Sequence, residues 1–166
     1  MLTAEEVRKR LKLQPHPEGG YFIETYRSTH KLPKKVLTGG YPGDRSVSTA
    51  IYYLLTPKTF SAMHRLRGDE IFHFYLGDPV DLLQLRPDGS GKVTVLGPNL
   101  TAGMRPQLVV PAGVWQGMKL LRGGKYALLG TTVAPGFDFK DFELGDRDEL
   151  VEEYPQFAKL ISELTK

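Results

Sequence analysis

Cysteine is absent from the 166 residues, which removes disulfides, thiolate metal ligands and a cysteine nucleophile together. That lack fits a reducing compartment. No apolar run approaches the length needed to span a membrane, and the opening MLTAEEVRKRLKL carries acids without the short apolar core of a signal peptide. The expectation is a cytoplasmic protein with no membrane partner. A Gly-x-Ser-x-Gly elbow, which would present a nucleophilic serine, does not occur. The glycines of GGYPGD and RGGK lack the strand-loop-helix setting of a phosphate loop. Concentrated charge of one sign is missing too: the net charge is +3 and the pI near 9.0, but the positives are dispersed. Only KLPKK, 31–35, is dense, and with no aromatic residues interleaved it reads as a solvated loop, not as a nucleic-acid surface.

What is present suits one globular domain over 1–166, with 40% hydrophobic and 25% charged residues. Thr3 and Glu6 form a capping-box pattern, and Val7 and Leu11 give the short helix that follows an apolar side, ending before Pro15 as a lid or strap. HPEGGYFIETYRS turns on Gly19 and Gly20 into a strand, Tyr21 to Arg27. From there to about residue 135, short β-rich runs alternate with Gly, Pro and Asp, the spacing of an antiparallel barrel or sandwich. PDGSGK, 87–92, reads as a hairpin with a loop of about five residues. Residues 146–164 change to helical period, broken at Pro155, with Phe157, Leu160, Ile161 and Leu164 as one stripe.

Two strands bear on assembly. AIYYLL, 50–55, and EIFHFYL, 70–76, are apolar on both faces, whereas a sheet with one wet face alternates apolar and polar. The terminal helices or a second copy of the chain must cover the outer face, and a homodimer through Ile71, His73 and Tyr75 is the expectation. Alternation sets Glu70, Phe72 and Phe74 on one face and His73 on the other, where its ordinary role is that of a buried, hydrogen-bonded histidine.

Glu70 followed by six residues and Gly77, with His64 six residues before Glu70, resembles the first motif of the cupins, and PAGVWQ, 111–116, resembles the opening of their second. PHPEGGYF, HRLRGDEIFHFYLGDP, VVPAGVWQG and TVAPGFDF resemble one branch more closely, Cupin_5 or DUF985, over nearly the whole chain. The resemblance implies a mainly β fold, a cupin-type jelly-roll β-barrel over about 20–140 with short N-terminal and C-terminal helices, usually dimeric, with a pocket inside. It implies little about activity.

The chain departs from the metal-binding cupin pattern, which supplies His-x-His, a glutamate and a third histidine. Here Leu66 and Gln116 stand in two of the four ligand positions, and an amide is a weak substitute for imidazole. No metal and no cofactor are expected. His64, Glu70 and Gln116 converging inside a barrel would be costly to bury without a partner. Each could also be a core residue satisfied by the protein itself.

Phe72, Phe74 and Met118 are the expected apolar lining, a composition shared by small-molecule pockets and plain cores. Trp115, the only tryptophan, points away from Gln116, towards an interface or core. Tyr53, Tyr26 and Arg27 are candidates for the rim. Three functions fit. In the first, a metal-independent cupin takes a small polar, sugar-like metabolite, such as a sugar or sugar nucleotide, and isomerises or epimerises it with His64 as base and Glu70 beside it. In the second, His64, Glu70, Gln116 and water hold a metal. In the third, the same pocket binds and turns nothing over.

Overall fold

The computed structural model describes residues 2–166. Thirteen strands follow in chain order: β1 Gln14–Pro15, β2 Tyr21–Arg27, β3 Lys31–Leu32, β4 Arg45–Ser46, β5 Thr49–Leu55, β6 Ser61–Leu66, β7 Asp69–Gly77, β8 Val80–Leu85, β9 Gly91–Leu96, β10 Gln107–Val110, β11 Trp115–Leu120, β12 Ala127–Ala134 and β13 Phe142–Leu144. Three short helices flank them: α1 Ala4–Arg10, α2 Arg147–Glu153 and α3 Ala158–Glu163. One sheet has the order β1-β2-β5-β12-β7-β10, the other β13-β6-β11-β8-β9, and β3 and β4 form a separate ribbon. The two large sheets face each other without closing their hydrogen bonding into a continuous barrel. That is the jelly-roll arrangement expected of the sequence. The strands begin and end slightly outside 20–140, because β1 and β13 add an edge to each sheet.

Alternation decides what each sheet turns inward. Phe72 of β7, Tyr53 and Leu55 of β5, Leu129 of β12, Leu82 of β8 and Met118 of β11 meet in one apolar core between the sheets. Burial of several such side chains, each contributing about 1.5–3 kcal/mol, holds the sheets together. The outer face of the second sheet is covered by the chain's own C-terminus. Trp115, Met63, Leu83 and Leu85 pack there against Leu150 and Tyr154 from the α2 region and Ile161 and Leu164 from the α3 region. Trp115 is therefore core, and the Arg65 guanidinium lies 4.4 Å above its ring. Between the two helices, Pro155 opens a single 3-10 turn, Pro155–Phe157, at the expected break.

Helix α1 is capped as its sequence requires: the Thr3 hydroxyl accepts from the Glu6 amide at 3.2 Å, and the Glu6 carboxylate accepts from the Thr3 amide at 2.8 Å. It does not act as a lid. Val7 and Leu13 pack instead on Leu54, Tyr126 and Leu128, on the outer face of the first sheet. The rest of that face is open: Ile71 and His73 are half-buried, and Tyr75, Leu76 and Val109 are exposed. His73 lies within 3.3 Å of the Thr132 hydroxyl and stacks on Tyr75, so it is hydrogen-bonded as expected but less buried. The β8–β9 hairpin turns through residues 86–90, closed by the Arg86 amide on the Ser90 carbonyl at 2.8 Å.

Candidate functional site

Strand pairing brings the second sheet's polar residues together. Gln116 of β11 is the direct cross-strand partner of His64 of β6, and both turn inward. Glu70 arrives from the other sheet, and the Gln116 amide nitrogen donates to its Oε2 at 2.8 Å. A polar bond therefore crosses the apolar interior. The amide's Oε1 is buried with no partner among the described residues.

His64 is 2% exposed. Its Nδ1 lies 2.7 Å from the Ala62 carbonyl, and since a carbonyl only accepts, Nδ1 carries the hydrogen. In the neutral ring the lone pair is then on Nε2. That atom faces two carboxylates, Glu18 Oε2 at 3.3 Å and Glu70 Oε2 at 4.0 Å. Burial above all, with nearby Glu18 in support, pushes the Glu70 carboxyl up to about 7 against the opposing pull of His64 and of the Thr131 and Gln116 hydrogen bonds. Glu70 is thus an acid poised near neutrality.

Glu18 comes from the turn between β1 and β2. Its carbonyl accepts from the Ala62 amide at 2.9 Å, and its Oε1 accepts from the Ser61 hydroxyl at 2.9 Å, so β6 fixes it beside His64. Gly19 makes this approach possible. Its φ is +115°, and a Cβ there would lie 2.0 Å from the Phe60 carbonyl oxygen.

His16, in the same turn, accepts the Glu18 amide on Nδ1 at 3.2 Å and lies 3.6 Å from the Glu18 carboxylate. Burial holds its pKa below the usual histidine value, with Glu18 opposing. Both observations make it a neutral ring with its hydrogen on Nε2. The result is a contiguous row, His16–Glu18–His64–Glu70–Gln116, across both sheets.

The row borders a cavity of about 280 Å³. Its walls include Phe22, Ile51, Tyr53, Thr131, Val133, Phe137 and Phe139, and Glu24, Arg27 and Asp138 supply further charge. His16 meets Phe22 edge-on at 4.6 Å, and His64 stacks on Phe142 at 5.2 Å.

The structure places His64 and Glu70 on the cavity as expected, with Gln116 behind Glu70, bracing it and not facing the space. Phe72, Phe74 and Met118 are not on its wall. They fill the core with Tyr53 and Leu55, because the cavity occupies the end of the sheets near Glu70 and the strands converge on apolar side chains beyond it. Tyr53 does line the cavity but is fully buried, not at a rim, and Arg27 lies on the wall while Tyr26 is 55% exposed outside it. His16, Glu18, Thr131, Phe137 and Phe139 were missed. The signal for the first two was HPEGG, an acid and a histidine beside a glycine pair; for the last two it was PGFDF.

A metal of the kind many cupins hold does not fit this donor set. Leu66 has no donor atom, Gln116 directs its NH2 at Glu70, and no group of three or more His, Asp or Glu side chains among the described residues is arranged to hold an ion.

The family model "Cupin superfamily (DUF985)", Cupin_5, matches residues 5–145. The uncharacterized protein YML079W of Saccharomyces cerevisiae is 34% identical over 148 residues, covering 84% of this chain and 74% of the yeast protein. Protein SO0799 of Shewanella oneidensis, a crystal structure, superposes with a TM-score of 0.87 at 35% identity, over 100% of this chain and 99% of that one. A cupin 2 domain-containing protein from Halorhodospira halophila superposes with a TM-score of 0.56 at 9% identity, over 92% of this chain and 87% of its own, a likeness of fold alone.

Proposed function

The chain belongs to Cupin_5, the DUF985 branch of the cupin superfamily, and from that premise we propose that it takes a small organic metabolite into the cavity without a metal and shifts a proton on it. The observation that carries this reading is the Nε2 atom of His64, set between Glu18 and Glu70. It is the ring nitrogen left to exchange a proton while Nδ1–H is spent on the Ala62 carbonyl, and it is an acceptor whenever the ring is neutral. Such a nitrogen can take a proton from carbon next to a carbonyl, and Glu70, titrating near 7, can return or relay one. The ionisable groups of the row lie together, which favours moving a proton along one face of the substrate.

Epimerisation needs a second acid on the opposite face. Tyr53 does not supply it: its hydroxyl donates to the Gly19 carbonyl at 2.8 Å, and burial holds its pKa well above the usual tyrosine value. We therefore favour isomerisation over epimerisation. A sugar or other hydroxy-carbonyl compound is the natural substrate class for that step.

The test is a thermal-shift screen against sugars, sugar nucleotides and small carboxylates, followed by incubation of any stabilising compound in D2O. Wild-type protein should place deuterium at the carbon next to the carbonyl, and His64→Gln should bind yet exchange at least about a hundredfold more slowly, the low end of a general base's contribution. Equal exchange by both proteins removes His64 from the chemistry. Binding without exchange in the wild type leaves a binding protein.

We also propose that the chain forms a homodimer through the uncovered part of the first sheet, around Ile71, His73 and Tyr75, where apolar side chains stand exposed beyond the reach of α1. Light scattering at micromolar concentration should give twice 18.6 kDa, and Tyr75→Lys should shift it towards the monomer. A wild-type monomer would overturn the arrangement.

A further inference from the structure

The chain is net positive, yet its cavity is acidic. Four carboxylates, from Glu18, Glu24, Glu70 and Asp138, share the lining with one arginine, and that arginine is committed: Arg27 donates to both oxygens of Glu24, at 2.8 and 2.7 Å, and to the Phe137 carbonyl. At the row itself, Glu18 and Glu70 have one histidine between them. His64 can neutralise one carboxylate at most. His16 cannot serve the other, because its Nδ1 already accepts the Glu18 amide and the ring is neutral. The nearby Lys166 ammonium is engaged by the Pro17 carbonyl.

The remaining wall includes the aromatic rings of Phe22, Phe137, Phe139 and Tyr53 beside Ile51, Leu66 and Val133, and an aromatic ring attracts a cation to its negative face. Two buried carboxylates, a surplus of negative charge and an aromatic surround have one complementary ligand chemistry.

We propose that the metabolite carries a cationic nitrogen, an ammonium or a quaternary amine, which sits against Glu18 and Glu70 with its body on the phenylalanine rings. This rests on the reading of the cavity as the ligand site and adds the class of ligand. The cation supplies the missing counter-charge at the row, where an uncompensated buried carboxylate is costly.

A consequence follows for protons. Glu70 is faced by Glu18 from the turn before β2, by His64 from β6, by Gln116 from β11 and by Thr131 from β12. A cation beside it favours the ionised carboxylate, so binding releases protons and tightens as pH rises through about 7.

The experiment is calorimetric titration of the full chain with two pairs of closely similar shape, each a cation against a neutral partner: benzylamine against benzyl alcohol, and choline against 3,3-dimethylbutan-1-ol. The cation of at least one pair should bind roughly tenfold or more tighter than its neutral partner, the scale of a desolvated cation over aromatic rings. That preference should grow from pH 6 to pH 8 and shrink in Glu18→Gln and in Glu70→Gln. Neutral partners that bind as well as the cations overturn the inference, as does a preference indifferent to pH in the wild type, a readout independent of how the variants fold. If neither cation binds while compounds of the metabolite screen do, the inference falls and the ligand site stands. If no compound of either set binds, both fall.

Discussion

Glu70→Gln should make the protein more stable at pH 8 by on the order of 2–3 kcal/mol and change it by less than about 1 kcal/mol at pH 5. Burial raises the Glu70 carboxyl from 4.5 to about 7, and each unit corresponds to about 1.36 kcal/mol between the protonation states. The sign follows from the direction. A carboxyl with a raised folded pKa lends its full contribution below the unfolded value and loses it as pH climbs through the folded one. The window is therefore 4.5 to about 7, and above it the wild type bears a buried charge that glutamine does not. The isosteric amide still accepts from the Gln116 nitrogen, so the bond across the sheets survives. Urea denaturation of both proteins at pH 5 and pH 8 reads the difference. A variant less stable at pH 8 would show that His64 holds the ionised carboxylate more firmly than burial opposes it.

The second large effect lies at the cavity's wall. Arg45 of β4 donates to Asp141 through Nε at 2.5 Å and Nη2 at 2.8 Å, and both side chains are buried. Asp141 ends the 3-10 turn Phe139–Asp141, so this pair anchors the segment that carries Phe137 and Phe139 to the ribbon of β3 and β4. Asp141→Asn should cost about 3–5 kcal/mol, because it leaves a guanidinium buried without its counter-charge. The double variant Arg45→Met with Asp141→Leu should regain most of that loss, since apolar replacements of similar volume have no charge to desolvate. Chemical denaturation decides it: a single variant within about 1 kcal/mol of wild type would mean that Arg67, 3.8 Å from Asp141, or solvent compensates.

Much of the fold was legible because it is written in short-range pattern. Period-two alternation put Glu70, Phe72 and Phe74 inward and Ile71, His73 and Tyr75 outward, and the stripe at Phe157, Leu160, Ile161 and Leu164 identified an apolar helical side. Pattern offered the terminal helices as cover for the sheet of 50–55 and 70–76, whereas the C-terminal ones cover the second sheet. The site was only half legible, for a physical reason. His64 and Glu70 sit on strands where alternation assigns a direction, whereas His16 and Glu18 lie in a turn with no period. Glu18 reaches His64 through a Ser61 hydrogen bond between residues 43 apart in sequence. Phe72 and Met118 were assigned to the cavity because pattern says which face a side chain takes but not how far along the sheet the space extends.

The orphaned oxygen of Gln116 has its own consequence. A primary amide presents a donor on one side and an acceptor on the other, and half a turn about its last torsion exchanges them. With Glu70 ionised, the NH2 must face the carboxylate, as it does, leaving Oε1 stranded. Once Glu70 takes up a proton, its new hydroxyl has something to give, and the same amide can meet it oxygen-first. The glutamine is therefore ambidextrous towards its neighbour, where an imidazole already bound to a metal would be committed to one posture. The amide can thereby follow a carboxyl group through its titration without breaking the link between the sheets.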